Sequence, residues 1–578
     1  MTASKFDETF DVVVAGSGAG GMAAALVARH ADLDVLVLEK TDRFGGSTAV
    51  SGGAMWVPGN HHAAEVGQTD SREAVMTYLR AVIGNRLHTD LVEAYLDNGP
   101  EMVAFMERET ALQFTARAHS PDYQADLAGA SMGGRTLDPA PFDGRELGDK
   151  FDLLRPPYDS FLAFGGMMVN RTDIDRLLGV ARSFGNFAHA TSLLVRYAKD
   201  RLRYRRGTRL LMGNALAGRL LKSALDRKID LRNHATVEEI LIEDGAVTGV
   251  RAKIDGRQRL IAARRGVVLA TGGFPRNAAL ARQTIPHAEN HFTMSPVGNA
   301  GEGVHLALAA GGTLAEDNAG PAFWAPVSVM KLDDGREIRF PHLILDRQKP
   351  GLVAVNAAGR RFVNESASYH DFVEGMHRSH ETVSTIPAFL ICDRRFLRKY
   401  GLGLVRPGPR FLRPFIKAGY LVEARSIREL AGKLDLPADA LSETIARMNE
   451  YARTGEDPEF KKGGNAYNRY LGDPAHKPNP CLGPIDAPPF YAVRVYPGDI
   501  GTATGLKTDA HARVLARDGR PIPGLFAVGN DMNSVMAGTY PAAGITLGPA
   551  LTFGYIAGRT LSGVKPPLAQ TKRKAIRR

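Results

Sequence analysis

Two cysteines in 578 residues, Cys392 and Cys481, are too few and too far apart for a disulfide framework, and neither has the CxxC partner of a zinc site. Both are expected to be buried thiols in a reducing compartment, and no metal is expected. No uninterrupted apolar run reaches 18 residues, so no spanning helix is read. The first ten residues are polar and lead straight into an apolar run, which is read as the lack of a signal peptide. Repeats and low-complexity tracts are missing. A cytoplasmic protein, with membrane contact at most peripheral, is the expectation.

The net charge is +11, yet no nucleic-acid recognition motif accompanies it, and nucleic acid is not expected as a partner. Much of the surplus is local. The tail 565–578 carries six basic residues and no acid, and reads as a solvated, disordered end. Two internal stretches, Arg201 to Arg209 and Val405 to Lys417, mix basic and apolar residues. Each reads either as a surface loop or as a contact with anionic lipid.

What the chain has in plenty is glycine, with 62 residues, and these cluster in a few motifs. Phe10 to Ala15 reads as a buried strand, Gly16-Ser-Gly-Ala-Gly-Gly21 as a turn, Met22 to His30 as an alanine-rich helix and Asp34 to Leu38 as a second strand. Gly16, Gly18 and Gly21 let backbone approach a pyrophosphate, and the helix that follows offers unpaired N–H groups and the positive end of its dipole. Glu39 ends the second strand, where a carboxylate can bond ribose hydroxyls. Strand-like segments return at Ala235 to Val250 and Leu260 to Gly273, and Ile522 to Gly529 is a turn and buried strand before a last helix, Leu547 to Thr560. The expected fold class is α/β: a Rossmann-like dinucleotide-binding domain, discontinuous in sequence, with an inserted α+β catalytic domain. The expected division is 1–310 (with a helical insertion at about 71–228), 311–488 for the catalytic domain, 489–564 for the returning cofactor part, and the tail.

Four motifs in order, Gly16–Glu39, Lys40-Thr-Asp-Arg-Phe-Gly-Gly-Ser-Thr-Ala-Val-Ser-Gly-Gly53, Ala270-Thr-Gly-Gly-Phe274 and Gly524-Leu-Phe-Ala-Val-Gly-Asn-Asp531, resemble the flavoprotein family of fumarate reductase and 3-ketosteroid dehydrogenase. The resemblance implies FAD, held by Gly16, Ser17, Gly18, Ala19, Gly20, Gly21, Glu39, Lys40, Gly46, Ser47, Thr48, Ser51, Gly52, Gly53, Val237, Ala270, Thr271, Gly272, Gly529, Asn530, Asp531, Ile545, Thr546 and Leu547. Covalent members carry a histidine in the first loop; residues 40–53 have none, so non-covalent FAD is implied.

Within that family the block Val355 to Glu365 precedes the active site, and Tyr369 stands where fumarate reductases have an arginine proton donor. A tyrosine there resembles the 3-ketosteroid Δ1-dehydrogenases, in which it is the base. Tyr540-Pro-Ala-Ala-Gly544 resembles their Tyr-x-x-x-Gly signature, whose hydroxyl and N–H donate to the 3-keto oxygen as an oxyanion hole. Tyr123, in Pro121-Asp-Tyr-Gln124, matches a second tyrosine assisting the base, although Pro121 and Gln124 depart from the family pattern. The implied reaction places a 1,2 double bond in a 3-oxosteroid. Tyr369 takes the C2 proton, hydride leaves C1 for flavin N5, and an external acceptor removes the electrons. A free tyrosine titrates near ~10, so the base must be poised by a neighbour such as the second phenol. Pro321 to Pro326 and Phe340 to Leu345 are expected to line an apolar slot. Three alternatives stay open: a Δ4-type ketosteroid dehydrogenase, a reductase of an unsaturated acid, and a flavin protein that relays electrons or binds apolar molecules without turnover.

Overall fold

Val12, Val13 and Val14 are wholly shielded from solvent at the centre of a strand β1 (Glu8–Ala15), with cover on both faces as a near-continuous apolar run demands. A computed structural model describes residues 6–180, 183–408 and 411–564, so the basic tail 565–578 lies outside the described residues. The helix α1 (Ala19–His30) begins three residues earlier than the expected Met22, inside the glycine motif. Its Gly18 N-cap offers no side chain, and the short residues Ala19, Gly20 and Gly21 already take helical form. β2 (Val35–Leu38) returns parallel to β1.

The chain then leaves the sheet for β3 (Met55–Trp56), α2 (His62–Glu65), α3 (Arg72–Ile83) and α4 (Thr89–Glu109). Further on come α5 (Phe184–Arg201) and α6 (Met212–Asp226), so the insertion is largely helical. The sheet resumes with β4 (Asp230–Arg232), β5 (Ala235–Glu243), β6 (Ala246–Ile254) and β7 (Arg257–Leu269). The two strand-like segments expected here are in fact three antiparallel strands, because Asp244-Gly245 and Asp255-Gly256 supply left-handed turn residues.

A second sheet is wholly antiparallel. It contains β8 (Ala322–Lys331), β9 (Glu337–Pro341), β10 (Leu352–Val355), β11 (Ala388–Asp393), β12 (Leu421–Ala424) and β13 (Phe490–Thr502). Its order is β9-β8-β13-β11-β10, with β12 also on β13. Helix α7 (Tyr369–His380) lies between β10 and β11 in sequence. The expected division at 488 assigned Phe490–Thr502 to the cofactor part. Instead β13 pairs with β8, β11 and β12 of the inserted domain. The chain recrosses after Thr502, through β14 (Arg513–Leu515) and β15 (Pro521–Ala527), and ends in α8 (Leu547–Leu561). β15 joins the first sheet parallel to β7, completing the order β4-β2-β1-β7-β6-β5 with β15 and β14 beside β7. Cys392 and Cys481 are both buried and free. Among the described residues no helix is long and apolar enough to cross a membrane.

Candidate active site

Three loops meet at the carboxyl ends of β1, β7 and β15. Gly16 follows β1 at φ +108°, and a Cβ there would stand 2.2 Å from the Ala270 carbonyl oxygen, so only glycine fits between the two strand ends. A Cβ at Gly18 would meet nothing closer than 3.8 Å, which leaves an open groove over the uncapped N-terminus of α1. Such a groove fits a dinucleotide pyrophosphate. Glu39 sits beside it, its carboxylate accepting from Ser17 Oγ at 2.5 Å and from Thr41 N at 3.0 Å.

The first loop is laced to this groove by its hydroxyls. Thr48 Oγ1 accepts from Ala19 N at 2.9 Å, and Ser47 Oγ accepts from Asn299 Nδ2 at 2.8 Å. Asn299 Nδ2 also donates to the Gly272 carbonyl at 3.0 Å, so one amide joins two of the expected motifs. Ser51 Oγ closes the loop on Thr48 O and Gly53 N. Gly46, Asn530 and Thr546 are half-buried and Gly52 is exposed, while Gly20, Ile545 and Leu547 are buried. Val237 is buried on β5.

Two expected cofactor residues also make bonds within the protein. The Asp531 carboxylate accepts from Thr271 N, Thr271 Oγ1 and Gly273 N, which ties the third motif to the fourth. Burial pushes its pKa up despite those bonds. Lys40 is paired with Glu302.

The three tyrosines singled out from sequence converge from three segments. Tyr123 Oη donates to Tyr369 Oη at 3.2 Å. The rings of Tyr123 and Tyr540 stack at 5.5 Å and 8°, and Tyr369 stands edge-on to Tyr540 at 5.1 Å. Tyr369 is the first residue of α7, whose N-cap Ser368 accepts from Asp371 N. Gln124 Nε2 donates to Asp371 at 2.9 Å, a bond parallel to the tyrosine pair. Tyr123 N bonds the Pro541 carbonyl at 2.8 Å, so the segments carrying Tyr123 and Tyr540 are also joined by backbone.

Gly544 stands at φ +98°, and a Cβ would come within 2.6 Å of Met55 and Trp56 backbone atoms. Its carbonyl accepts from Trp56 N and Gly548 N at 3.0 Å each. Beneath this contact Trp56 Nε1 donates to Asp122, which Arg135 also holds at 2.7 Å; Arg135 is therefore a buried support and not a ligand group.

Burial pushes the pKa of Tyr369 and of Tyr123 well above the ordinary phenol value, and at Tyr369 the neighbouring phenols add to the rise. Burial raises Tyr540 to about 12, opposed by hydrogen bonds from Tyr369 and Thr546. At Tyr369 burial is the largest cause of the rise, and ionisation of more than one phenol in the cluster is opposed by repulsion between the like charges.

Among the further neighbours, His370 and Tyr467 carried no sequence signal, whereas Phe323 belongs to the expected slot. Phe323 on β8 meets Tyr540 edge-on at 5.8 Å. His370 packs on Tyr540 and accepts from Trp324 N at 3.2 Å. Tyr467 lies 4.6 Å from Tyr123 between ring centroids. Of the expected slot, Phe323 and Phe340 are buried, whereas Ile344 and Leu345 are about half exposed, at 49% and 51%.

Comparison with known proteins agrees with this geometry. Residues 11–547 match the family model described as FAD binding domain. A 3-oxosteroid 1-dehydrogenase of Mycobacterium tuberculosis is 37% identical over 95% of this chain and 98% of its own. A 4-oxocyclohex-2-ene-1-carboxylate 5-dehydrogenase of Sinomonas cyclohexanicum is 42% identical over 96% and 93%. The crystal structure of 3-ketosteroid delta1-dehydrogenase from Sterolibacterium denitrificans, in complex with 1,4-androstadiene-3,17-dione, superposes with a TM-score of 0.89 at 38% identity, covering 96% of this chain and all of that one. The chain belongs to the FAD-binding family of flavoprotein dehydrogenases and is an FAD-dependent oxidoreductase.

Proposed function

We propose that the chain is a 3-ketosteroid Δ1-dehydrogenase, which introduces a 1,2 double bond into the A ring of a 3-oxosteroid. The observation that carries this is the convergence of Tyr123, Tyr369 and Tyr540 beside Gly544, at the mouth of a groove that fits FAD. Tyr540 Oη and Gly544 N–H donate to the 3-keto oxygen. Two aimed donors in a water-poor site stabilise the charge that grows there and so acidify C2. Tyr369 takes the C2 proton as a phenolate. Its own phenol neighbours resist ionisation, but it begins α7, where the positive end of the helix dipole favours negative charge. Bound FAD supplies the two-electron acceptor for the hydrogen leaving C1. Tyr123, in hydrogen-bond contact with Tyr369, holds the base in place and supports the Δ1 over the Δ4 assignment.

The Sinomonas relative favours a second reading, a smaller ring ketone bearing a carboxylate. The chemistry next to the ketone is shared, and the difference lies at the far end of the substrate, where a carboxylate calls for a cation. Arg117 and Arg347, which act on Tyr123 and Tyr467, are engaged with Asp138 and with backbone carbonyls of His342, Leu343, Glu365 and Ala367. Neither is free to clamp a carboxylate, which supports the steroid. The same lack, with Tyr369 at the position of the proton-donating arginine, speaks against reduction of an unsaturated acid.

Anaerobic mixing with 4-androstene-3,17-dione should bleach the visible flavin band and yield the 1,4-diene, and 4-oxocyclohex-2-ene-1-carboxylate should not. Bleaching by the carboxylate alone would move the assignment to the second reading. No bleaching by either would leave only a flavin protein without this turnover.

Membrane contact belongs to the same reading, since steroids partition into lipid. Phe184, Phe187 and Leu202 are exposed at 84%, 56% and 89% on and just after α5, beside Arg201 and Arg203. Apolar rings flanked by cations suit an anionic bilayer surface. The protein should sediment with anionic vesicles, and Phe184→Ser with Leu202→Ser should release it.

A further inference from the structure

Away from the tyrosines, two consecutive histidines face one carboxylate. His61 and His62 open α2, and Glu107 lies in the last turn of α4. Glu107 Oε2 is 3.0 Å from His61 Nε2, and Glu107 Oε1 is 2.9 Å from His62 Nε2. The two rings lie 4.1 Å apart between centroids, and one ligand atom from each of the three residues falls within 4.8 Å of the others. Donors about 2.1 Å from a metal stand about 3.0 Å apart at right angles and about 3.4 Å apart in a tetrahedron, so the two nitrogen–oxygen pairs, at 3.0 and 2.9 Å, match the right-angle spacing and need open by only about 0.5 Å for the tetrahedral one.

The surrounding bonds have the form of a metal site's outer layer. His62 Nδ1 lies 2.9 Å from Glu65 Oε2, the carboxylate–imidazole contact that fixes a ligating tautomer and turns the Nε2 lone pair inward. Phe114 N donates to Glu107 Oε1 at 3.0 Å and holds that carboxylate in place. An Nε2 lone pair facing a carboxylate is repulsive unless a positive charge stands between them. One divalent ion with two neutral imidazoles balances Glu65 and Glu107, as two imidazole protons would. His61 is 48% exposed at its side chain while His62 and Glu107 are 12% and 15% exposed, so an ion can enter from solvent onto two donors that are already held.

We propose that His61, His62 and Glu107 bind a divalent cation of the zinc, cobalt or nickel class, with Glu65 as the outer carboxylate. Two imidazoles and one carboxylate suit these borderline ions better than calcium or magnesium, which prefer oxygen. The ion ties the segment after β3 to the end of α4. That segment is already drawn in by Asn60 Nδ2, which donates to Val57 O and Gly134 O, and it continues from Trp56, the residue bonded to Gly544. The cation thus acts as a staple behind the oxyanion-hole glycine and takes no part in the reaction. Sequence spacing alone predicts no metal, because Glu107 is 45 residues from His62 and lies in no ligand motif.

The test uses the FAD-loaded protein and the chlorides of zinc and nickel, followed by calorimetric titration and thermal melting. One ion per chain and a higher melting temperature are expected for the parent protein. His61→Ala and Glu107→Gln should each weaken binding by at least about tenfold and abolish the rise in melting temperature. His88→Ala, which removes another exposed histidine paired with an acid, should change neither. His61 is exposed enough that its loss leaves the fold intact, and an unaltered flavin spectrum verifies this for both variants. If the parent protein takes up no ion, or if it and both variants bind alike, the cluster is an ion pair only and the proposal is overturned.

Discussion

Tyr369 illustrates how burial governs chemistry at the scale of one residue. It is 6% exposed and set among other phenols, and both facts raise its pKa above the usual value near 10. In the proposed reaction the base is the phenolate, whose fraction falls about tenfold for each pH unit below the pKa. The rate of flavin reduction by 4-androstene-3,17-dione should therefore climb with pH across the neutral and alkaline range, without a plateau below about pH 10. Tyr369→Phe should remove this limb and cost roughly 10²–10⁴-fold in rate. A flat profile in the parent protein would exclude a tyrosine base. Gly544 makes an independent test. Its left-handed backbone and the 2.6 Å approach to Met55 and Trp56 leave no room for a methyl group. Gly544→Ala should displace the N–H donor and lower kcat more than it raises KM, while a variant with unchanged kcat would remove Gly544 from the oxyanion hole.

Among the elements, α7 follows a loop that other segments hold in place. The loop between β10 and α7 is pinned by a buried ion network. Arg361 bonds both Glu365 at 2.8 Å and Asp457 at 2.8 Å, and Lys462, itself buried, donates to the Leu352 carbonyl. Arg361→Met would strand two buried carboxylates. It should destabilise the protein by about 3–5 kcal/mol in a denaturant titration. A loss under about 1 kcal/mol would mean that the carboxylates find protons or water at little cost. Little of this network could be read from sequence, because Asp457 lies 96 residues from Arg361 in a stretch without a motif. The glycine turn was legible because its strand, turn, helix and acid are contiguous. Tyr369 and Tyr540 were singled out through the motifs around them, and the structure brings both next to Tyr123. Tyr467 and His370 were not, since nothing local distinguishes them from core aromatics. β13 was not singled out as a strand in the sequence, and its partners β8 and β11 lie about 100 residues or more upstream, so its sheet could not be assigned.

For the whole molecule, the cofactor groove is assembled from parts that are far apart in the chain. Gly16–Gly21, Gly46–Gly53, Ala270–Gly272, Gly529–Asp531 and Ile545–Leu547, the segments expected to hold FAD, come from widely separated parts of the sequence. A ligand that touches all five stabilises the folded state alone. At a thousandfold excess over its dissociation constant it contributes about 4 kcal/mol. Stripping FAD should lower the melting temperature, and adding FAD should restore it. Equal melting of both forms would show that the groove is held by protein contacts alone.

The chain's two tryptophans, Trp56 and Trp324, both lie near the tyrosine cluster, one bonded to Gly544 and Asp122, the other to His370 and close to His377. Both rings are buried. Their fluorescence is therefore a built-in optical reporter of the site. Flavin entering the groove should quench the emission by energy transfer. Trp56→Phe would leave Trp324 as a single probe of the inserted domain, from which the rate of substrate entry could be read by stopped flow without any label.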